Sequence, residues 1–263
     1  MRQRLQEPEG FGSYEEICQW LEQLGVKAAY STVHRLVYER LQARLKVSRA
    51  QHVKQSSEPR DAFKKELAQT LAMLVHICVV VLEWSGTVRF FCGDETRIGL
   101  KTGEGRKITA KGVKPIGQVQ WQFEFTYLYG IVEPSSGELF CWEFSHLNTD
   151  CFQAYLILIS RQFAGTIVII QLDNGAFHKA RRLKVAANIV LLFQPPYCPE
   201  LNPIEQVWQH LKKRLRWQLP ASLDGLRQLV KQWLDAIDRE LIASIVGRQS
   251  ILDALSVREF DVR

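Results

Sequence analysis

The sequence predicts an α/β protein, a mixed sheet flanked by helices, with a small all-α unit in front of it. Three observations carry this. Ile167–Leu172 and Ile189–Phe193 are unbroken apolar runs rich in β-branched residues, the mark of strands buried on both faces. Phe123, Phe125, Tyr127, Tyr129 and Ile131 alternate with Gln122, Glu124 and Thr126, as a strand with one buried face requires. Within residues 13–24 and 31–38, apolar residues recur at helical spacing.

The 263 residues have room for one large domain, or a large and a small one. With 46% hydrophobic and 24% charged residues, the composition is that of an ordinary soluble globular chain. Lys and Arg outnumber Asp and Glu by 34 to 28, a net +6 that favours a polyanionic partner without requiring one. The six cysteines lack metal-type pairing, so reduced thiols and a cytosolic setting are expected. The N-terminus is too polar for a signal peptide. The longest apolar run, Leu71 to Leu82, is broken by His76 and is too short to span a bilayer.

In chain order, Ser13 to Leu24 reads as an amphipathic helix with Ile17, Trp20, Leu21 and Leu24 on one face, ended by Gly25. A second helix is expected after Ser31 as N-cap, burying Val33, Leu36 and Val37. Two helices about a glycine turn make a helix-turn-helix or a plain helical hairpin. Arg35, Arg40, Arg44 and Arg49 favour the first. Residues 48–60 are polar and read as a linker. Asp61 is the expected cap of a helix running to about residue 80.

Val88 to Cys92 is a short strand expected to end at Gly93-Asp94-Glu95-Thr96. Neighbours on a strand face opposite sides, so only one of Asp94 and Glu95 can point into a site. Lys101, Arg106, Lys107, Lys111 and Lys114 sit among glycines in a basic loop. The aromatic strand then forms a hairpin through Glu133–Gly137 with Glu138–Phe144, its aromatic stripe buried as core. Asp150 and Gln153 can form a capping box for a helix burying Phe152, Tyr155, Leu156, Ile159 and Phe163. Ile167–Leu172 ends at Asp173, a strand-end carboxylate or an ordinary turn residue beside Asn174-Gly175.

His178-Lys179 opens a basic helix, and its histidine reads as polar surface, with metal ligation or DNA contact the alternatives. After Ile189–Phe193 and a Pro-rich loop, Asn202 is the expected N-cap, Pro203 the first helical residue and Glu205 the third. Glu205 thus reads as a capping-box partner or as a site carboxylate. Leu223–Leu234 and Leu241–Val246 form amphipathic helices that pad the sheet. Antiparallel strands followed by parallel crossovers describe a ribonuclease-H-like fold.

Leu-Asp173-Asn174-Gly and Gln-Pro-Pro-Tyr-Cys-Pro-Glu-Leu-Asn-Pro-Ile-Glu205 resemble the catalytic core of DDE transposases of the mariner superfamily, in its bacterial insertion-sequence branch. Gly93-Asp94-Glu95-Thr96 resembles that family's Asp-Glu-Ser/Thr signature. The resemblance implies the same ribonuclease-H-like fold, with Asp94, Asp173 and Glu205 as catalytic ligands of two divalent ions, Mg²⁺ or Mn²⁺. Hard oxygen donors suit either ion. The offset from Asp173 to Glu205 is 32 residues, a little short for the superfamily, with the shortening in a loop.

Residues 25–36 resemble the family's second, winged helix-turn-helix, which implies DNA contacts from Ser31, Thr32, His34 and Arg35. Lys107 and Lys111, and Lys212 and Arg216 on the helix face of Glu205, are candidate phosphate contacts. The expected domains are 1–55 (helix-turn-helix, DNA-binding), 56–86 (linker and connecting helix), 87–218 (catalytic) and 219–263 (C-terminal helices). The partners implied are double-stranded DNA, both terminal repeats and target, and a second copy in a homodimer. No membrane and no small-molecule cofactor is implied, and the expected location is the bacterial cytoplasm, at the nucleoid.

The family's usual upstream DNA-binding unit is expected to be missing from this chain. Two rival readings follow: a metal-dependent nuclease of the same fold without strand transfer, or a truncated copy that only binds DNA.

Overall fold

A computed structural model describes residues 1–48 and 53–256; Arg49 and part of the expected linker lie outside these. The chain divides into two compact units, Met1–His52 and Val53–Arg263.

In the first unit, α1 (Tyr14–Gln23) is capped by Ser13, whose hydroxyl accepts from the Glu16 amide. Gly25, at φ +80°, turns the chain. The second helix, α2 (Tyr30–Arg35), continues in one wider turn through Leu36–Arg40. Ile17, Val33 and Val37 form its small core. The second helix begins at Tyr30, so Ser31 lies inside it and is not its cap. Ala29 takes the cap position in extended backbone, with no side-chain hydrogen bond.

In the second unit, α3 (Ser57–His76) starts four residues before the expected Asp61, which instead pairs with Arg60 inside the helix. The sheet has five strands in the order β3-β2-β1-β4-β5, where β1 is Thr87–Gly99, β2 Phe125–Val132, β3 Leu139–Phe144, β4 Thr166–Leu172 and β5 Ile189–Phe193. β2 runs antiparallel to both its neighbours, β1 and β3, and β4 and β5 run parallel to β1. This is the mixed, ribonuclease-H-like arrangement expected from the strand patterns.

Helix α4 (Thr149–Gln162) covers one face, its Phe152, Tyr155, Leu156 and Ile159 meeting Phe91, Val168 and Ile170. Helices α5 (Ile204–Leu215), α6 (Leu223–Ala236), α7 (Arg239–Val246) and α8 (Gln249–Leu255) cover the other, with α3. There Val88, Phe90, Ile167 and Ile169 pack on Val207, Trp208 and Leu211.

Four local expectations fail, each for a tertiary reason. β1 runs on to Gly99 because its ladder with β2 continues from Cys92 to Gly99 after the apolar run stops. Phe123 and Phe125 are exposed, because the strand begins only at Phe125 and its buried stretch lies further on. Asn148, not Asp150, caps α4 by accepting from the Cys151 amide, while Gln153 binds the backbone of Lys184. The basic stretch after His178 makes only a short 3₁₀ turn, Ala176–Lys179, so β4 reaches β5 without a full helix.

Candidate active site

Asp94 stands in the middle of β1, at the point where that strand loses a neighbour. β1 pairs with β4 only as far as Cys92↔Gln171, while its ladder with β2 goes on. Two residues further along each strand come Asp94 and Asp173, both on the α5 side of the sheet by the alternation of the pleat. Glu205 enters from the first turn of α5. All three line one cleft of about 380 Å³, with Asn174, Gly175, Gln194, Asn202 and the Pro195–Pro199 loop. Tyr197 in that loop holds φ +60°, a left-handed conformation rare outside glycine and typical of functional loops.

Each carboxylate is held differently. Asp94 Oδ2 accepts from the indole Nε1 of Trp208 at 3.1 Å. Asp173 Oδ1 accepts from the Gly175 amide at 2.8 Å and lies 2.9 Å from His178 Nδ1. Glu205 is half-buried, with Lys212 nearby on the same helix. It is not half of a capping box: its amide bonds to the Asn202 carbonyl, while the Asn202 side chain turns away to donate to the Gly93 carbonyl at 2.7 Å. Asn202 is therefore a brace between α5 and β1 rather than a helix cap. Its Oδ1 is buried without a hydrogen-bond partner.

The electrostatics differ from one carboxylate to the next. Burial raises the Asp94 pKa well above the usual carboxylate range, and the charges of Glu95, Glu205 and Asp173 raise it further. Burial also raises Glu205, partly offset by Lys212. Asp173 is lowered, first by His178 and then by the Gly175 amide, against its own desolvation. Burial pulls His178 down, but contacts with Asp173 and Glu95 outweigh it and raise its pKa to about 9. Among the described residues, no three His, Cys, Asp or Glu side chains are gathered closely enough to form a ready-made metal group. The donor set nonetheless fits hard divalent ions by its chemistry: three carboxylates converge on one cleft, and the pKa of the most buried of them is set chiefly by burial and by neighbouring acids.

Glu95 points to the α4 side, as alternation requires, and meets His178 Nε2 at 3.1 Å. His178 is buried against Phe152 and Phe177, with ring centroids 4.4 and 4.1 Å away, so the sequence expectation of a surface histidine is overturned. Its ring is almost wholly buried, at 1% side-chain exposure. Sequence patterns also passed over Trp208. Its one signal was its position three residues after Glu205, one turn along the same helix.

The candidate DNA contacts fall into two sets. Ser31, Thr32, His34 and Arg35 are exposed on α2, and the His34 ring stacks on Tyr38 at 5.8 Å. Lys107, Lys111, Lys212 and Arg216 are exposed in the second unit. Lys107 donates to the Ile116 carbonyl and lies 4.5 Å over the Trp217 ring. A Cβ at Gly117 would fall within 2.0 Å of that ring, and one at Gly105 within 2.8 Å of the Arg216 side chain. The glycines of the basic loop thus let it lie directly on the end of α5.

The family model for the DDE superfamily endonucleases matches residues 89–227, which take in all three carboxylates. An uncharacterized protein, y4pE/y4sA, of Sinorhizobium fredii (strain NBRC 101917 / NGR234) is 36% identical over 89 residues, 34% of this chain and 66% of its own length. The insertion element IS630 uncharacterized 39 kDa protein of Shigella sonnei is 26% identical over 154 residues, 56% of this chain and 45% of its own. The chain therefore spans less than two thirds of either relative. The crystal structure of the Mos1 strand transfer complex shares the fold at a TM-score of 0.68 and 19% identity, over 95% of this chain and 74% of that one.

Proposed function

The chain belongs to the DDE superfamily of endonucleases, and we propose that it is a transposase of the mariner and IS630 kind, cutting the ends of an insertion sequence and joining them to target DNA. The observation that carries this is the convergence of Asp94, Asp173 and Glu205, from three separate elements, on one cleft. The Mos1 strand transfer complex, named for the joining step, lends it support.

In this reading Asp94 and Asp173 would hold two divalent ions, Mg²⁺ or Mn²⁺, with Glu205 as the third ligand. Such ions, when bound, supply a polarised water or 3′-hydroxyl and neutralise charge on the leaving oxygen. The chain's own groups do the rest. The Trp208 indole and the Gly175 amide fix two of the carboxylates before DNA arrives. Lys107, Lys111, Lys212 and Arg216 bind the phosphate backbone beside the cleft. Residues 1–55 form the DNA-binding domain, 56–86 a linker and connecting helix, 87–218 the catalytic domain and 219–263 a helical support. Ser31, Thr32, His34 and Arg35 read the terminal repeat. The enzyme acts as a homodimer on double-stranded DNA at the bacterial nucleoid and needs no small-molecule cofactor.

Two assays test this together. Supercoiled plasmid should be nicked with Mg²⁺ or Mn²⁺ and not with EDTA, and a pre-cut end with a free 3′-hydroxyl should be joined to a second duplex. Nicking without joining leaves a nuclease of the same fold. Activity in EDTA rejects the metal mechanism.

A further inference from the structure

From the far side of the sheet into the cleft, Glu95, His178 and Asp173 form a continuous bridge. Glu95 and His178 are almost wholly buried, with side-chain exposures of 6% and 1%, while Asp173 is 52% exposed. His178 Nε2 meets Glu95 Oε1 at 3.1 Å, and Nδ1 stands 2.9 Å from Asp173 Oδ1. The second contact has ion-pair distance but is off the line of a ring N–H hydrogen bond. The bridge is possible because β1 extends past its pairing with β4. Beyond Cys92↔Gln171, a side chain can cross from the α4 face to the residue that follows β4.

Local structure is arranged around this crossing. The 3₁₀ turn is closed by the His178 amide donating to the Gly175 carbonyl at 3.0 Å, which folds the imidazole under the strand ends. A Cβ at Gly175 would lie 3.1 Å from both Asp173 Oδ1 and His178 Nδ1, so a side chain there would crowd the contact. Phe152 and Phe177 wall the ring and restrict its rotation. A carboxylate and an imidazole buried together cost desolvation that a hydrocarbon pair would not. Such an expense is understandable where a ligand's partner sets its orientation.

We propose that His178 is a positioning residue: anchored by Glu95, it holds Oδ1 of Asp173 and leaves Oδ2 to take a divalent cation. This rests on the function proposed above. It assigns His178 no contact with metal or DNA, and it makes Glu95 a structural anchor rather than a fourth ligand.

Mn²⁺ binding to the DNA-free protein tests it, read from the loss of the free-ion magnetic resonance signal, with cleavage measured alongside as a function of Mn²⁺. H178A and H178Q should weaken Mn²⁺ binding about 10- to 100-fold, the usual effect of removing a ligand's orienting partner. Their cleavage should recover substantially at saturating Mn²⁺, so the metal requirement rises more than kcat falls. E95Q, nearly isosteric, should weaken binding less and in the same direction. A folded H178Q with wild-type Mn²⁺ affinity overturns the proposal. If both His178 variants unfold, E95Q decides: unchanged affinity overturns it, weaker affinity supports it. The parent reading fails separately, if the wild-type chain neither binds Mn²⁺ nor cuts DNA.

Discussion

Trp208 and Asp94 tie α5 to the sheet: the indole Nε1 of α5 donates to Oδ2 of the mid-strand aspartate at 3.1 Å. The rest of the ring is pressed against β2, where a Cβ at Gly130 would lie 2.5 Å from Cη2. One residue thus couples the packing of three elements to the orientation of a candidate metal ligand. In W208F the donor goes but most of the packing stays. We expect a stability loss of about 1–3 kcal/mol from the unpaired buried carboxylate. Cleavage should fall by about 10- to 10²-fold from a misplaced ligand. Urea unfolding and plasmid nicking measure the two; wild-type nicking would show that Asp94 needs no such support.

G130A probes the same contact from the other side. The ring cannot retreat without breaking its hydrogen bond, so the added methyl should cost about 1–3 kcal/mol by overpacking. A fall in nicking should accompany the loss of stability. Unchanged thermal and denaturant midpoints would mean that the indole has room to move.

The triad itself makes the sharpest prediction. D94N, D173N and E205Q each keep shape and remove charge, so the folded state and salt-sensitive DNA binding should persist. Cleavage should fall by at least about 10²–10³, the cost of removing one preorganised electrostatic group. A variant that nicks like the wild type excludes that residue from catalysis.

Asn202 should matter to architecture before chemistry. Its Nδ2 satisfies the Gly93 carbonyl, one residue from Asp94. N202A leaves that carbonyl unpaired and should cost about 1–3 kcal/mol. Full wild-type stability by urea titration would show that another group, or water, takes its place.

DNA binding should weaken steeply with salt. Reversing Lys212 and Arg216 to Glu removes two phosphate contacts, and each contributes about 0.9 to the log–log salt slope. The slope should therefore drop by about 1.8 on any duplex sequence. An unchanged slope would make both residues plain surface charge.

Local patterns alone revealed most of the strands, the main helix faces and the carboxylates worth considering. Those depend on local periodicity and on a long motif around Glu205, which survive without knowledge of the partners. Ile167–Leu172 had to be buried on both faces, and Val207 and Leu211 had to face the core, whatever they packed against. What those carboxylates touch depends on long-range packing. Asp94 looked like a strand end because the apolar run stops at Cys92, yet β2 carries the ladder on to Gly99. Asn202 looked like a helix cap until the Gly93 carbonyl, 109 residues away, claimed its amide. His178 looked like surface because basic residues follow it, and it is buried because β4 stops short of β1 and opens a path between Glu95 and Asp173. In each case a long-range hydrogen bond or ion pair outweighed a local preference of comparable size, and no pattern of neighbours in the chain encodes which distant group will arrive.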